Sequence, residues 1–200
     1  IRKIIQKQAD VGLKLATDGE FRRSWWHFDF FWHLTGCERV VVDQGIHFKG
    51  VDTKPESVRI TSKLDFPLDH PMIEHFKFLK AHTKETPKMT IPAPSVLHFR
   101  GGRGAISRDA YPAMEDFFDD VARAYRDEIA DLAAAGCTYL QLDDTNLAYL
   151  CDTKMREGAK ARGDDPDELP RRYAKLINAA IADRPSSMTV GVHLCRGNFK

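Results

Sequence analysis

The sequence predicts an α/β protein in which parallel strands alternate with helices, and three observations carry that reading. Short apolar runs bounded by polar clusters alternate with segments whose apolar residues recur every three and four positions, the signatures of buried strands and of helices packed on them. The last three of those runs start near residues 88, 138 and 188, about fifty residues apart. Nearly every run ends in side chains able to ionise or to bind a metal, and in folds of this kind catalytic groups gather at the carboxyl ends of the strands.

Taken in order, Ile1, Ile4, Ile5 and Ala9 follow helical spacing up to Gly12, so residues 1–11 are expected to be a helix. Residues 13–17 read as a short buried strand opening into Thr17-Asp18-Gly19-Glu20. Residues 39–42 and 46–49 flank Asp43-Gln44-Gly45, and residues 57–64 alternate apolar and polar, which predicts a β-ribbon inserted at about 38–65. Residues 71–83 read as a helix, 89–91 as a strand followed by Pro92-Ala93-Pro94-Ser95, and 101–104 as a glycine-rich loop. Met114, Phe117, Phe118, Val121, Tyr125, Ile129 and Leu132 then step by three and four, with Gly136 closing the strongest helix of the chain. Residues 138–142 form a strand ending in Asp143-Asp144, 170–183 a helix, and 188–192 a strand ending in His193-Leu194-Cys195.

The order α-β-ribbon-α-β-α-β-α-β is that of an incomplete (β/α)8 TIM barrel of about four βα units, with residues 1–200 read as part of a single barrel domain. An open doubly wound sheet is the competitor, but no glycine-rich dinucleotide or phosphate loop follows any strand.

Composition narrows the function. Thirty Lys+Arg against 29 Asp+Glu leave a net charge of +1, so no general field holds a polyanion and nucleic acid is not expected as a partner. A hydrophobic share of 42% with 30% charged residues suits a packed globular enzyme. No run approaches the roughly 20 apolar residues that span a bilayer, so no membrane role is expected. The start, Ile1-Arg2-Lys3-Ile4, has neither an initiator Met nor a signal-peptide pattern, and is expected to lie inside a longer protein. Four scattered cysteines without a CxxC pair fit a reducing cytoplasm.

His193 and Cys195 are the sharpest pair of candidate ligands. Side chains two apart on a strand point to one side, and mixed nitrogen and sulfur ligation suits Zn²⁺. The plain alternative is a packed histidine beside a small buried thiol. Asp143 and Asp144 could hold an ammonium group or serve as a base, or Asp144 or Thr145 could simply cap a helix. Glu20 is either a site carboxylate or a solvated loop acid. Ser95 follows two prolines with no base near it, which argues against a nucleophile. The aromatic segment 25–33 could stack on a flat ligand, with core packing or a subunit contact as its plainer use. Arg100-Gly101-Gly102-Arg103-Gly104 is one RGG-like copy, a poor signal for nucleic acid.

Four strand-end motifs together carry a family resemblance. Thr17-Asp18-Gly19-Glu20-Phe21-Arg22-Arg23, Thr90-Ile91-Pro92-Ala93-Pro94-Ser95, Gln141-Leu142-Asp143-Asp144 and Val192-His193-Leu194-Cys195 resemble the C-terminal catalytic barrel of cobalamin-independent methionine synthase, and more closely its short single-barrel relatives. The resemblance implies zinc-dependent methyl transfer from a methyltetrahydrofolate-type donor to the homocysteine thiol. It implies that His193 and Cys195 are two zinc ligands and that Glu20 and Asp143 hold the substrate's amino group, with Ser95 of the second motif also assigned to the substrate site. The family's remaining zinc ligands, a glutamate and a second cysteine, and its catalytic histidine are expected on later strands, and its first strand before Ile1. Asp144 stands where the synthases usually carry Glu, and the folate-binding N-terminal half of the two-barrel enzymes has no counterpart here. The alternatives are zinc-dependent alkyl transfer to another thiol such as coenzyme M, or a metal-free uroporphyrinogen decarboxylase-like barrel.

Overall fold

The computed structural model describes residues 1–43, 47–48, 51–52 and 54–195. Helix α1 (Arg2–Asp10) leads into the short strand β1 (Leu15–Ala16) and the single turn α2 (Phe28–Phe31). Four strands follow, β2 (Thr35–Val41), β3 (His47–Phe48), β4 (Val51–Asp52) and β5 (Glu56–Asp65). Then come α3 (Pro71–His82), β6 (Thr86–Pro92), α4 (Ser95–Phe99) and the long helix α5 (Met114–Ala134). The last elements are β7 (Tyr139–Asp144), α6 (Asn146–Tyr149), α7 (Thr153–Ala161), α8 (Leu169–Ala180) and β8 (Thr189–Leu194).

Strands β1, β6, β7 and β8 form one parallel sheet in that order. A doubly wound sheet reverses its strand order at a switch point, whereas here each strand lies beside the next one of the βα series, as in a barrel wall. The faces of the sheet are unlike. Met89, Ile91, Leu140 and Leu142 point to one side and join residues of α3, α5 and α8 in the main core. Lys88, Thr90, Tyr139 and Gln141, the residues between them, are only half-buried on the other side. Period-two alternation thus gives the helices an apolar floor and leaves a polar face for a site.

The core is closed by polar ties from apolar helices. The Tyr125 hydroxyl of α5 donates to the Pro92 carbonyl at 2.7 Å, and the Arg126 guanidinium donates to the Ala179 carbonyl at 3.1 Å, locking α5 to β6 and α8. Gly136 follows α5 with φ +93°, a left-handed conformation that explains why the helix stop predicted from sequence is a glycine.

The ribbon differs from its expected pairing. Residues 39–41 pair antiparallel with 56–58 (Arg39 with Val58, Val40 with Ser57, Val41 with Glu56), so their partner is the far arm and not 46–49. β3 pairs instead with β4, and the ribbon starts at Thr35. Of the expected turn Asp43-Gln44-Gly45, residues 44 and 45 lie outside the described residues, as do 46 and 49 of the arm expected after it. The far arm was the better partner because Val58, Ile60 and Leu64 face inward and are buried in the main core, a burial that local hairpin pairing would not have supplied. Residues 102–105 form a turn of 3-10 helix where an open loop was expected, and α7 was not expected at all. The aromatic segment is core: Phe28, Phe30 and Phe31 are buried and Trp25, Trp26 and Trp32 pack against them.

Candidate active site

The polar face of the sheet opens into a cavity of about 360 Å³ at the carboxyl ends of the strands. The loop after β1 supplies Thr17, Asp18, Glu20 and Arg23; β6 supplies Lys88 and Thr90; β7 supplies Gln141 and Asp143; β8 supplies His193. Parallel register explains the last two, because Asp143 pairs directly with His193 across the strands. Three of the five residues singled out from sequence, Glu20, Asp143 and His193, therefore share one cavity.

Glu20 reaches it through an unusual backbone. It is the one non-glycine residue with positive φ among those described (58°), in the left-handed region that side chains normally avoid. The conformation is held by local bonds: the Glu20 amide donates to Asp18 Oδ1 at 2.9 Å, and the Arg23 amide donates to the Glu20 carbonyl at 2.9 Å. Strain of this kind persists where a side chain has to be aimed, and here it aims a carboxylate. Arg23 Nη1 lies 3.4 Å from Glu20 Oε1, while Arg23 Nη2 donates to the Thr90 carbonyl at 2.6 Å. The guanidinium so joins the first loop to β6.

Burial raises both pocket carboxyls above their ordinary values. For Glu20, Arg23 opposes the rise and Asp143 and Asp18 add to it; for Asp143, the Gln141 hydrogen bond and His193 oppose it. Two partly desolvated acids at one site favour a cationic guest, since an ammonium restores what burial removes.

Ser95 does not line the cavity. It is fully buried, and its hydroxyl donates to Asp144 Oδ2 at 2.6 Å and accepts from Asn146 Nδ2 at 3.0 Å. Asp144 Oδ1 in turn accepts from the Asn146 and Leu147 amides at 2.7 and 3.0 Å, which is the capping role weighed for it. The Cys195 amide donates to the Asp144 carbonyl at 3.2 Å, so the end of β7 also holds the residue after β8. The direct Asp143–His193 face is thus backed by a sealed polar knot on the opposite side.

His193 is exposed and Cys195 half-buried. Among the described residues no group of three His, Cys, Asp or Glu side chains converges as a metal cage. An imidazole and a thiol at positions two apart do suit zinc as two of its donors. Sequence reasoning passed over Arg23, Lys88 and Gln141 as site residues. The signal for Gln141 was available, since it stands two before Asp143 on the same strand and hence on the same face.

No family model matches the chain. The chain is 45% identical over 201 residues to the uncharacterised protein YxjH of Bacillus subtilis and 46% identical over 202 residues to YxjG of the same organism, and it spans about half (52%) of the length of each. A crystal structure of a proposed vitamin-B12-independent methionine synthase from Listeria monocytogenes superposes with a TM-score of 0.78 at 40% identity, covering 99% of this chain and 54% of that one. A B12-independent methionine synthase from a Shewanella species, solved with selenomethionine, shares the fold with a TM-score of 0.69 at 20% identity, covering 98% of this chain and 50% of that one. No helix among the described residues is long and apolar enough to cross a membrane.

Proposed function

We propose that the chain carries one part of a methyltransferase site that moves a methyl group from a methyltetrahydrofolate-type donor to the thiol of homocysteine, giving methionine. The observation that supports this reading is the convergence of Glu20, Asp143 and His193 in one cavity at the strand ends of one sheet. The likeness of the chain to a methionine synthase-like structure at 40% identity adds to it.

In this reading the two carboxylates take the substrate's ammonium group, each through a charge-assisted contact. Arg23 ties Glu20 to β6 and fixes the distance between the two acids. His193 and Cys195 would hold a zinc ion together with ligands contributed from elsewhere in the complete protein. Bound there, the metal would keep the acceptor sulfur as thiolate at neutral pH, the nucleophilic form. The half-buried walls would limit water around the reacting atoms. The complete barrel, the cytoplasmic setting and the folate donor belong to the same proposal.

Metal analysis of the protein with its full chain tests it. The parent is expected to hold zinc tightly, and Cys195→Ser to lose it while remaining folded, because a hydroxyl stays protonated where a thiol ionises against the metal. Equal zinc in both proteins, or none in an active parent, would remove the assignment. Methyl transfer to homocysteine but not to coenzyme M separates the substrate from its main competitor.

A further inference from the structure

Barrel interiors are ordinarily filled by bulky apolar side chains. The corresponding face here carries a line of polar residues instead: Lys88 on β6, then Gln141 and Asp143 on β7. Lys88 Nζ donates to Gln141 Oε1 at 3.1 Å, and Gln141 Nε2 donates to Asp143 Oδ1 at 2.8 Å. The resulting relay runs from a cation, through an amide dipole, to a carboxylate.

We infer that Gln141, held in one orientation by Lys88, is a positioning residue that presents the Asp143 carboxylate to the amino group of the substrate. The inference rests on the reading of Asp143 as an ammonium acceptor and adds what sets its geometry. A glutamine amide is nearly symmetric in shape, and rotation by half a turn exchanges its oxygen and nitrogen. Only one orientation serves here. Lys88 has donors alone and so takes the oxygen, which turns the N–H group toward Asp143, an acceptor alone. Without Lys88 the flipped amide would set an oxygen against the carboxylate.

The relay also accounts for the asymmetry of the pocket. Glu20 faces a cation directly, with Arg23 Nη1 3.4 Å from its Oε1. Asp143 receives its hydrogen bond from a neutral amide, and Lys88 reaches it only through that amide. One oxygen of Asp143 is thereby fixed while its charge is not cancelled by a contact ion pair, which leaves the second oxygen to meet an incoming ammonium.

The experiment compares affinities for L-homocysteine and for its des-amino analogue, measured by calorimetry on the complete protein. The parent is expected to prefer the amino compound. Gln141→Leu should reduce that preference by roughly tenfold, with little change for the des-amino thiol. Lys88→Met should reduce it in the same direction, and Lys88→Arg, which keeps a donor for Oε1, should restore it. A packing role alone would weaken both ligands equally or lower the melting temperature, and thermal unfolding of each variant separates that case. Full retention of the preference in Gln141→Leu, in a protein that folds and discriminates, overturns the positioning role and leaves the substrate reading standing. No preference in the parent overturns the ammonium reading and the relay with it.

Discussion

Two regions of this molecule hold carboxyl groups pushed above their ordinary pKa, and they are built to opposite ends. Glu20 and Asp143 border an open cavity and have hydrogen-bonding or charged neighbours, Arg23 for one and Gln141 for the other. Glu128, on the inward side of α5, is fully buried, and neither of its carboxyl oxygens has a hydrogen-bond partner. Burial raises it to about 8. Its nearest basic neighbour, His70, lies 3.9 Å away from Oε2, within reach of an ion pair, yet burial pushes that imidazole down to about 4. Both groups are therefore neutral near pH 7, and the contact is one between an uncharged acid and an uncharged ring. A raised acid marks a site only where a ligand can reach it and where neighbours prepare its charged form.

The comparison is sharpened most by removing the sealed acid. The folded state keeps the Glu128 proton up to about pH 8, whereas an unfolded chain releases it near the ordinary value of 4.5. Between those values the unfolded state binds fewer protons, so the contribution of Glu128 makes stability fall as pH rises, by at most about 1.4 kcal/mol per unit. Glu128→Gln should flatten that slope, gaining on the parent by up to roughly 5 kcal/mol across the window. Denaturant unfolding of both proteins from pH 5 to 8 measures it. Parallel slopes would mean that the native core already holds the ionised form.

The open acids should behave in the reverse way. Asp143→Asn and Glu20→Gln should each weaken homocysteine binding by about 1.5–3 kcal/mol with the metal retained, the cost of losing one charge-assisted contact. Their stability should move little, since both groups line the cavity and the amide replacements keep their hydrogen-bonding capacity. Unchanged affinity in both variants would transfer the ammonium site elsewhere.

Ser95→Ala tests the boundary between the two regions. It deprives Asp144 Oδ2 of its donor and Asn146 Nδ2 of its acceptor, both buried, and should cost about 1–2 kcal/mol of stability. Homocysteine affinity should fall less than in Asp143→Asn. A larger loss of affinity than of stability would bring Ser95 back to the substrate.

Much of this was legible in the chain itself. The fifty-residue recurrence of strands and the alternation of Leu140 and Leu142 with Gln141 and Asp143 define a parallel sheet with one apolar and one polar face, because strand geometry sends successive side chains to opposite sides. Glu20, Asp143 and His193 could be named because polar groups that end apolar strands come to one edge of such a sheet. Other features depended on contacts between distant segments. The ribbon's true pairing followed from burial of Val58, Ile60 and Leu64 against α5, which no turn signal encodes. Ser95 left the cavity for Asp144, 49 positions away, and Lys88 met Gln141 across 53 positions. Sequence determines which face of a strand a residue occupies, through local backbone geometry. Which of the groups on that face find one another is decided by the register between strands, and that exists only once the sheet has formed.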